Sequence, residues 1–423
     1  MKCIEDEIPF EVPKGWAWSR LSSIATIVTG RLDANAQRED GDYPFFTCGE
    51  EVFRTNTFAF DCDAILLGGN NAVGDFKIHR CCGKFNAYQR VYVITPYGEI
   101  YPDYLYYHIK YYLPALQKQS IGSQTRYLKL GMVNDLLIAC PPACEQRDIT
   151  LFTNKYFDLC TSIETNKCEI KNMISLMKST ILDLAIRGQL VPQNLDDEPA
   201  SVLLERIRVE KEELIKQGKI KRDKKESVIF KGEDNSYYEK IGSEVICIDD
   251  EILFDIPENW TWCRLSHIAE IIMGSSPSST DICYDKQYTE FHQGKMFFTD
   301  RIISCSSQYT KSITKISPPN SVLLCVRAPV GEVNFTNRMI CIGRGLASLK
   351  PYDSISEKFI FYWLQGLKSK LVEKATGTTF IAVTTDVVRN LLIPLPPYSS
   401  QLAIIKTIDE VIYQLSIIEK SLN

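Results

Sequence analysis

No stretch of this 423-residue chain approaches the run of ~20 apolar residues that a membrane-spanning helix needs. The opening MKCIEDEIPF is acidic and lacks the basic-then-apolar order of an export signal, so the sequence predicts a cytoplasmic protein with no membrane partner. Histidine is scarce: His79, His108, His267 and His292 are too few and too dispersed for a proton relay. His79 with Cys81 and Cys82 is the nearest approach to a metal cluster, but no second pair follows at ligand spacing and no metal site is expected. A basic excess is lacking too. With 48 Lys and Arg against 53 Asp and Glu the formal charge is −5, so an anionic partner would have to be met by a segregated face. The fifteen cysteines are odd in number and irregularly spaced, which fits reduced thiols better than a disulfide framework. Catalytic signatures are missing as well: there is no Gly-x-Gly-x-x-Gly after a strand, no Walker loop, no His-Glu-x-x-His, no Gly-x-Ser-x-Gly elbow and no Asn-Pro-Pro-aromatic motif. The expectation is a chain that binds and positions, holds no cofactor and performs no chemistry itself.

What the sequence does contain is a repeat. Cys3–Gly30 aligns with Cys247–Gly274 at a constant offset of 244, with 16 identities in 28 positions. Met132–Ile149 aligns with Val387–Ile404 at an offset of 255, so the second copy carries eleven more residues internally. Between these anchors, AILLGGNNAVGD around Leu66 and Gly74 matches SVLLCVRAPVGE around Leu323 and Gly331, and Gly122 falls opposite Gly377. Units that share a frame and differ inside suit two different ligands, or two parts of one.

Short runs such as AILLG, RVYVITP and SVLLCVRAP, bounded by Gly, Pro and Asn, read as strands of a mixed α/β (α+β) domain. The alternating Trp16, Trp18, Trp260 and Trp262 read as packing residues. Each unit closes on Pro-Pro, followed by a helical pattern. In the first, Ile149, Phe152, Tyr156, Leu159, Ile163, Ile170, Met173, Met177 and Leu184 recur at three-four spacing, with Asn166 as a register-setting polar residue. The second shows Ile404, Ile408, Val411, Leu415, Ile418 and Leu422. Two such seams in one chain predict antiparallel coiled-coil helices, and ~1.5 Å per residue makes the first, from Glu145 to Arg187, about 65 Å long. The expected divisions are two pseudo-repeated domains, 1–143 and 250–398, a coiled-coil helix 144–190, a linker 191–249 and a C-terminal helix 399–423. The linker is helical in its middle and ends in a basic stretch of Lys219, Lys221, Arg222, Lys224 and Lys225, which suits either a phosphate-contacting arm or a solvated face.

The paired IPxxWxWxRL openings at Trp16 and Trp260, the paired LLIxxPP segments at Leu136 and Leu391, and the central RGQLVPQNLDDEPASVLLERIRVEKEELIKQGKIK resemble the specificity subunits of type I restriction-modification systems. The resemblance runs in order along the whole chain. It implies two target-recognition domains, each reading one half of a bipartite site in double-stranded DNA, held apart by the helices. It also implies two docked methyltransferase subunits that use S-adenosylmethionine, and a restriction/translocase subunit that uses ATP and Mg. The C-terminal helix is shorter than such subunits generally have, which leaves the methyltransferase stoichiometry open.

For the residues that contact DNA, general chemistry supplies candidates: Asn and Gln can grip adenine, Arg guanine, and Lys phosphate. In the first unit these are Asn70, Asn71, Gln89, Arg90, Gln124, Arg126, Tyr127 and Lys129. At the aligned places the second unit has Arg327, Arg344, Thr378, Thr379 and Phe380. On the sequence alone two further readings stay open. One is a non-catalytic protein-interaction scaffold on a dimerising coiled coil; the other, a hydrolase built on Asp61 and Asp63, has little behind it.

Overall fold

The repeated ends of each unit are hydrogen-bonded to one another. In the computed structural model, which describes residues 5–194, 196–220, 222, 226–373 and 382–422, Ala17–Arg20 pairs antiparallel with Leu137–Cys140, Arg20 lying opposite Leu137. Thr261–Arg264 pairs with Leu392–Leu395 in the same register, Arg264 opposite Leu392. Each opening strand therefore meets its own closing strand at equivalent residues. The tryptophans pack as expected: the Trp18 ring meets Phe10 with centroids 5.0 Å apart, and Trp262 meets Phe254 at 5.3 Å.

The arginine ending each opening strand locks this pairing. Arg20 donates to the Asp135 carbonyl and the Glu7 carboxylate. Arg264 does the same with the Asn390 carbonyl (2.8 Å) and Glu251 (2.7 Å), and makes a further ion pair with the buried Glu239. A glutamine that opens each closing helix repeats the pattern. Gln146 accepts from the Tyr101 N–H and donates to the Pro141 carbonyl, and Gln401 does so with Ser356 and Pro396. Both glutamines are buried, so their amides satisfy backbone groups that would otherwise be stranded at the strand-to-helix corner.

By contacts the chain divides into Met1–Asn166 and Lys167–Asn423. The first unit is built on a six-stranded sheet in the order Ala25–Thr29, Val91–Pro96, Phe60–Gly68, Ile78–Ala87, Tyr43–Phe46, Val52–Thr55. The helix Pro102–Gln119 covers it, burying Leu105, Ile109 and Leu116 in one core with Ile65, Leu67 and Ile94. In the second unit the equivalent sheet has four strands, Ala269–Met273, Leu346–Pro351, Ser321–Cys325 and Val333–Thr336, and the helix Glu357–Gly366 packs on it. A second, five-stranded sheet includes Thr289–His292 and Ile340–Ile342.

The expected linker 191–249 is folded into the second unit. The helix Ala200–Lys216 buries Ala200, Leu203, Leu204 and Ile207 in that unit's core. A three-stranded sheet, Ser227–Lys231, Tyr237–Ile241 and Glu244–Cys247, supplies Glu239, and its presence was not anticipated from the sequence. Of the basic stretch, Arg222 is paired with Glu212 (2.6 Å) and Lys219 is exposed, while Lys221, Lys224 and Lys225 lie outside the described residues.

The long helix spans Ala143–Ile186, 44 residues. Within the second unit it runs antiparallel to the C-terminal helix Tyr398–Ser421. Lys178 pairs with Glu419 at 2.7 Å, and about two turns further on Ala185 and Ile186 share a core with Ile404, Ile405 and Ile408. The covered stripe here is the buried Ile174, Ala185 and Ile186 with the half-buried Ile181 and Leu182 packed on the core, whereas Ile170, Met173 and Met177 are exposed and Leu184 is half-buried. The stripe lies one residue beyond the expected one because apolar residues occupy both registers, and periodicity alone does not choose between them. On the C-terminal helix Ile404, Ile408 and Leu415 are buried, Val411 and Leu422 half-buried and Ile418 exposed. Within the first unit Ile149 is half-buried, Phe152, Tyr156, Leu159 and Ile163 are all more than half exposed, and Asn166 is exposed as well.

Replacing Arg264 by Met strands the buried Glu239 carboxylate and should cost on the order of 3–5 kcal/mol in urea unfolding of the full chain. The same change at the more accessible Arg20 should cost nearer ~1 kcal/mol. Equal losses would show that the Glu239 pair adds nothing to the frame.

Candidate nucleic-acid interface

In both units the segments that carry the candidate residues converge on one backbone position. In the first this is Gly69, whose N–H donates to the Arg90 carbonyl (2.7 Å) and whose carbonyl accepts from the Leu128 N–H (2.8 Å). Val326 holds the equivalent place, its N–H on the Gly345 carbonyl (3.0 Å) and its carbonyl on the Val383 N–H (2.8 Å). One strand-like pairing flanks each junction, Asn70 opposite Tyr127 and Arg327 opposite Ala382. A four-residue turn flanks it on the other side. The Val91 N–H closes Tyr88-Gln89-Arg90-Val91 on the Tyr88 carbonyl (2.8 Å), and the Leu346 N–H closes Gly343-Arg344-Gly345-Leu346 on the Gly343 carbonyl (3.0 Å). The scaffold is made of main-chain bonds, which any side chain can leave intact. Glycine is required at Gly69, where a Cβ would meet the Arg90 carbonyl oxygen at 2.5 Å.

The side chains around this scaffold differ in availability. The Asn71 Oδ1 accepts from the Val73 N–H (2.9 Å) and so shapes its own turn. Arg126 donates to the Gln117 carbonyl (3.1 Å), capping the helix Pro102–Gln119. Gln89 donates to Asp33 (2.9 Å). Arg90, Gln124, Tyr127 and Lys129 are exposed, and Asn70 is half-buried beside them. Arg327 and Arg344 are exposed in the second unit, whereas Gly377, Thr378, Thr379 and Phe380 lie outside the described residues. Thus Asn70, Arg90, Tyr127 and Lys129 are brought together by the fold, while Asn71 and Arg126 are used in building it.

Among the described residues no group of three or more His, Cys, Asp or Glu side chains could hold a metal, and no helix is long and apolar enough to cross a membrane. His79, one member of the Cys81–Cys82 group, has its Nε2 at 2.9 Å from the Gly49 carbonyl oxygen.

A family model described as the type I restriction modification DNA specificity domain matches residues 13–172 and again 257–423, one match per repeat. The chain belongs to this family. It is 28% identical to the EcoDI type I restriction enzyme specificity subunit of Escherichia coli, covering 98% of this chain and 85% of that one. It is 25% identical to the EcoAI specificity subunit of the same species, over 96% and 79%. Among solved structures it is similar to the HsdS subunit from Thermoanaerobacter tengcongensis, with a TM-score of 0.59 and 20% identity over 99% of this chain and 94% of that one. A chain from a study of complex assembly and conformational transition of the type I R-M system gives a TM-score of 0.65 and 21% identity over 98% and 94%. The fold of this specificity chain is therefore shared end to end with theirs.

The second recognition unit of this specificity chain contains a charged cluster that the sequence did not disclose. Glu290 accepts both arms of the Arg338 guanidinium (2.7 Å each), the Ser306 N–H (2.6 Å) and the ring N–H of the fully buried His292 (2.9 Å). The partners lie up to 48 residues apart in sequence, so no local spacing signals them. Burial works against the Glu290 carboxylate, but the Arg338 fork, Ser306 and His292 outweigh it and hold its pKa at about 2. An unfolded glutamate titrates near ~4.3, so this depressed pKa stabilises the fold fully above about pH 5 and ceases to do so as pH falls toward 2. Glu290→Gln should therefore destabilise the chain by on the order of 3 kcal/mol at pH 7, with the difference from wild type shrinking between pH 5 and pH 3. A pH-independent difference in denaturant midpoints would contradict this.

Proposed function

We propose that this chain is the DNA-specificity subunit of a type I restriction-modification complex, each recognition unit reading one half of a bipartite site in double-stranded DNA. The observation that carries the reading is the shared main-chain scaffold at Gly69 and Val326, which presents Asn70, Arg90, Tyr127 and Lys129 in one unit and Arg327 and Arg344 in the other. One backbone geometry with different hydrogen-bonding side chains is what two different base sequences require. The absence of catalytic motifs agrees with a subunit that contributes no chemistry. Methyl transfer from S-adenosylmethionine then belongs to methyltransferase subunits, two in number by the duplication. ATP- and Mg-dependent translocation and cleavage belong to a further restriction subunit. The exposed Phe152, Tyr156, Leu159 and Ile163 on the long helix form an apolar stripe of the kind that a methyltransferase helix would cover.

The purified chain alone should transfer no labelled methyl group, and its affinity for duplex DNA should fall steeply between 50 and 200 mM salt, as a phosphate-contacting surface dictates. Methyl transfer by the isolated chain, or salt-independent affinity, would refute the assignment. Within the complex, exchanging residues 250–398 for those of a relative should rewrite one half of the methylated motif and leave the other unchanged. Inserting one heptad in the helix Ala143–Ile186 should preserve both halves and alter only the number of unspecified bases between them, by up to about three at ~3.4 Å per base pair. Methylome sequencing reads both variants; altered halves with an unchanged gap after the insertion would show that the helix does not set the spacing.

A further inference from the structure

We infer that Arg344 reads a guanine in the half-site of the second unit, its backbone being held in place by Ser276 and Gln293. This deepens the DNA-reading function proposed above and rests on it.

Arg344 sits at the tip of the turn Gly343-Arg344-Gly345-Leu346. Both flanking glycines pack closely on one neighbour, and at Gly345 the contact is with backbone, so glycine is required there. A Cβ at Gly343 would meet the Gln293 side-chain oxygen at 2.5 Å, and one at Gly345 would meet the Gln293 carbonyl oxygen at 2.4 Å. The Arg344 N–H donates to Ser276 Oγ (3.2 Å), whose own hydroxyl donates to Gln293 Oε1 (2.8 Å). The Gly343 N–H donates to the His292 carbonyl (2.8 Å), tying the turn to the strand that carries the Glu290 cluster. The tip is thus tied through the Gly343 N–H and carbonyl, the Arg344 N–H and the Gly345 carbonyl, while the side chain is exposed, and among the described residues no carboxylate, carbonyl or aromatic ring engages its guanidinium.

The equivalent residue of the first unit shows the contrast. Gln89 occupies the same turn position but is tethered to Asp33, whereas among the described residues no acid is hydrogen-bonded to Arg344. Arg327 adds a second exposed cation on the adjoining strand segment, next to Val326, which hydrogen-bonds to Gly345. A fixed tip bearing an exposed guanidinium matches the paired O6 and N7 acceptors that guanine alone presents in the major groove, because fork geometry rewards fixed placement. A contact to phosphate would gain little from a pinned backbone.

The test is methylome sequencing of cells carrying the full complex with wild-type chain, Arg344→Ala or Arg344→Lys, together with competition binding by the purified full-length chain. The binding probes are duplexes of the wild-type motif and its single-base-pair variants. The wild-type motif should contain a G·C pair, in the half that exchange of residues 250–398 rewrites, that becomes degenerate in Arg344→Ala. Discrimination at that pair should drop by about 5- to 150-fold in binding, with all other positions retained. Arg344→Lys should keep overall affinity and salt dependence but not the discrimination. If Arg344→Ala abolishes methylation, the binding competition decides by the same criterion. Equal weakening on every duplex with a shallower salt slope would make Arg344 a phosphate contact and overturn the inference, as would an unchanged motif or loss of a pair other than G·C. Failure of the wild-type chain to discriminate any duplex would instead refute the proposed function.

Discussion

Each unit depends on the guanidinium at the end of its opening strand. Arg20 and Arg264 join a carboxylate in the segment leading into the strand, Glu7 or Glu251, to a carbonyl just before the closing strand, so one planar fork ties together points 115 and 126 residues apart. Beside that tie, four paired residues in each ladder, one further main-chain bond (Leu21 to Leu136, Leu265 to Leu391) and a shared apolar core hold the opening and closing strands together. In the second unit the fork is buried and carries an additional carboxylate from the three-stranded sheet, so the segment between the repeats is fastened to the frame by charge as well as by apolar packing.

The frame was legible in the sequence because its interactions are made by residues the repeat preserves. Identical Trp, Arg and Leu positions at one offset, and Leu-Leu-Ile and Pro-Pro at another, correspond to strands that pair within each copy. The reading face was legible only in part. Its candidate segments were found through glycines and polar residues, but nothing local distinguishes Asn70, left available, from Asn71, which folds back on its own turn. Arg126 looks like a base reader by type and serves as a helix cap because Gln117 happens to end beneath it. The Ser276–Gln293 support of Arg344 is non-local, and periodicity carries no trace of it.

The helix shows a similar limit. Apolar residues at both Met173 and Ile174 make two overlapping stripes, and only the packing of Ile404, Ile405 and Ile408 decides which is covered. The three-stranded sheet at Ser227–Cys247 escaped notice because its strand Glu244–Cys247 is exposed throughout and reads as surface.

The matching registers at the frame have a consequence for inheritance. Arg20 faces Leu137 and Arg264 faces Leu392, and the residues that brace them sit at the same relative places. A genetic crossover inside either anchor segment therefore joins an opening strand to a closing strand of another copy without slipping the ladder by a residue, and slippage is the error that turns a strand's core face outward. The interior can be exchanged whole while the folding instructions at its borders stay valid, so new combinations of halves can arise by recombination in a single step.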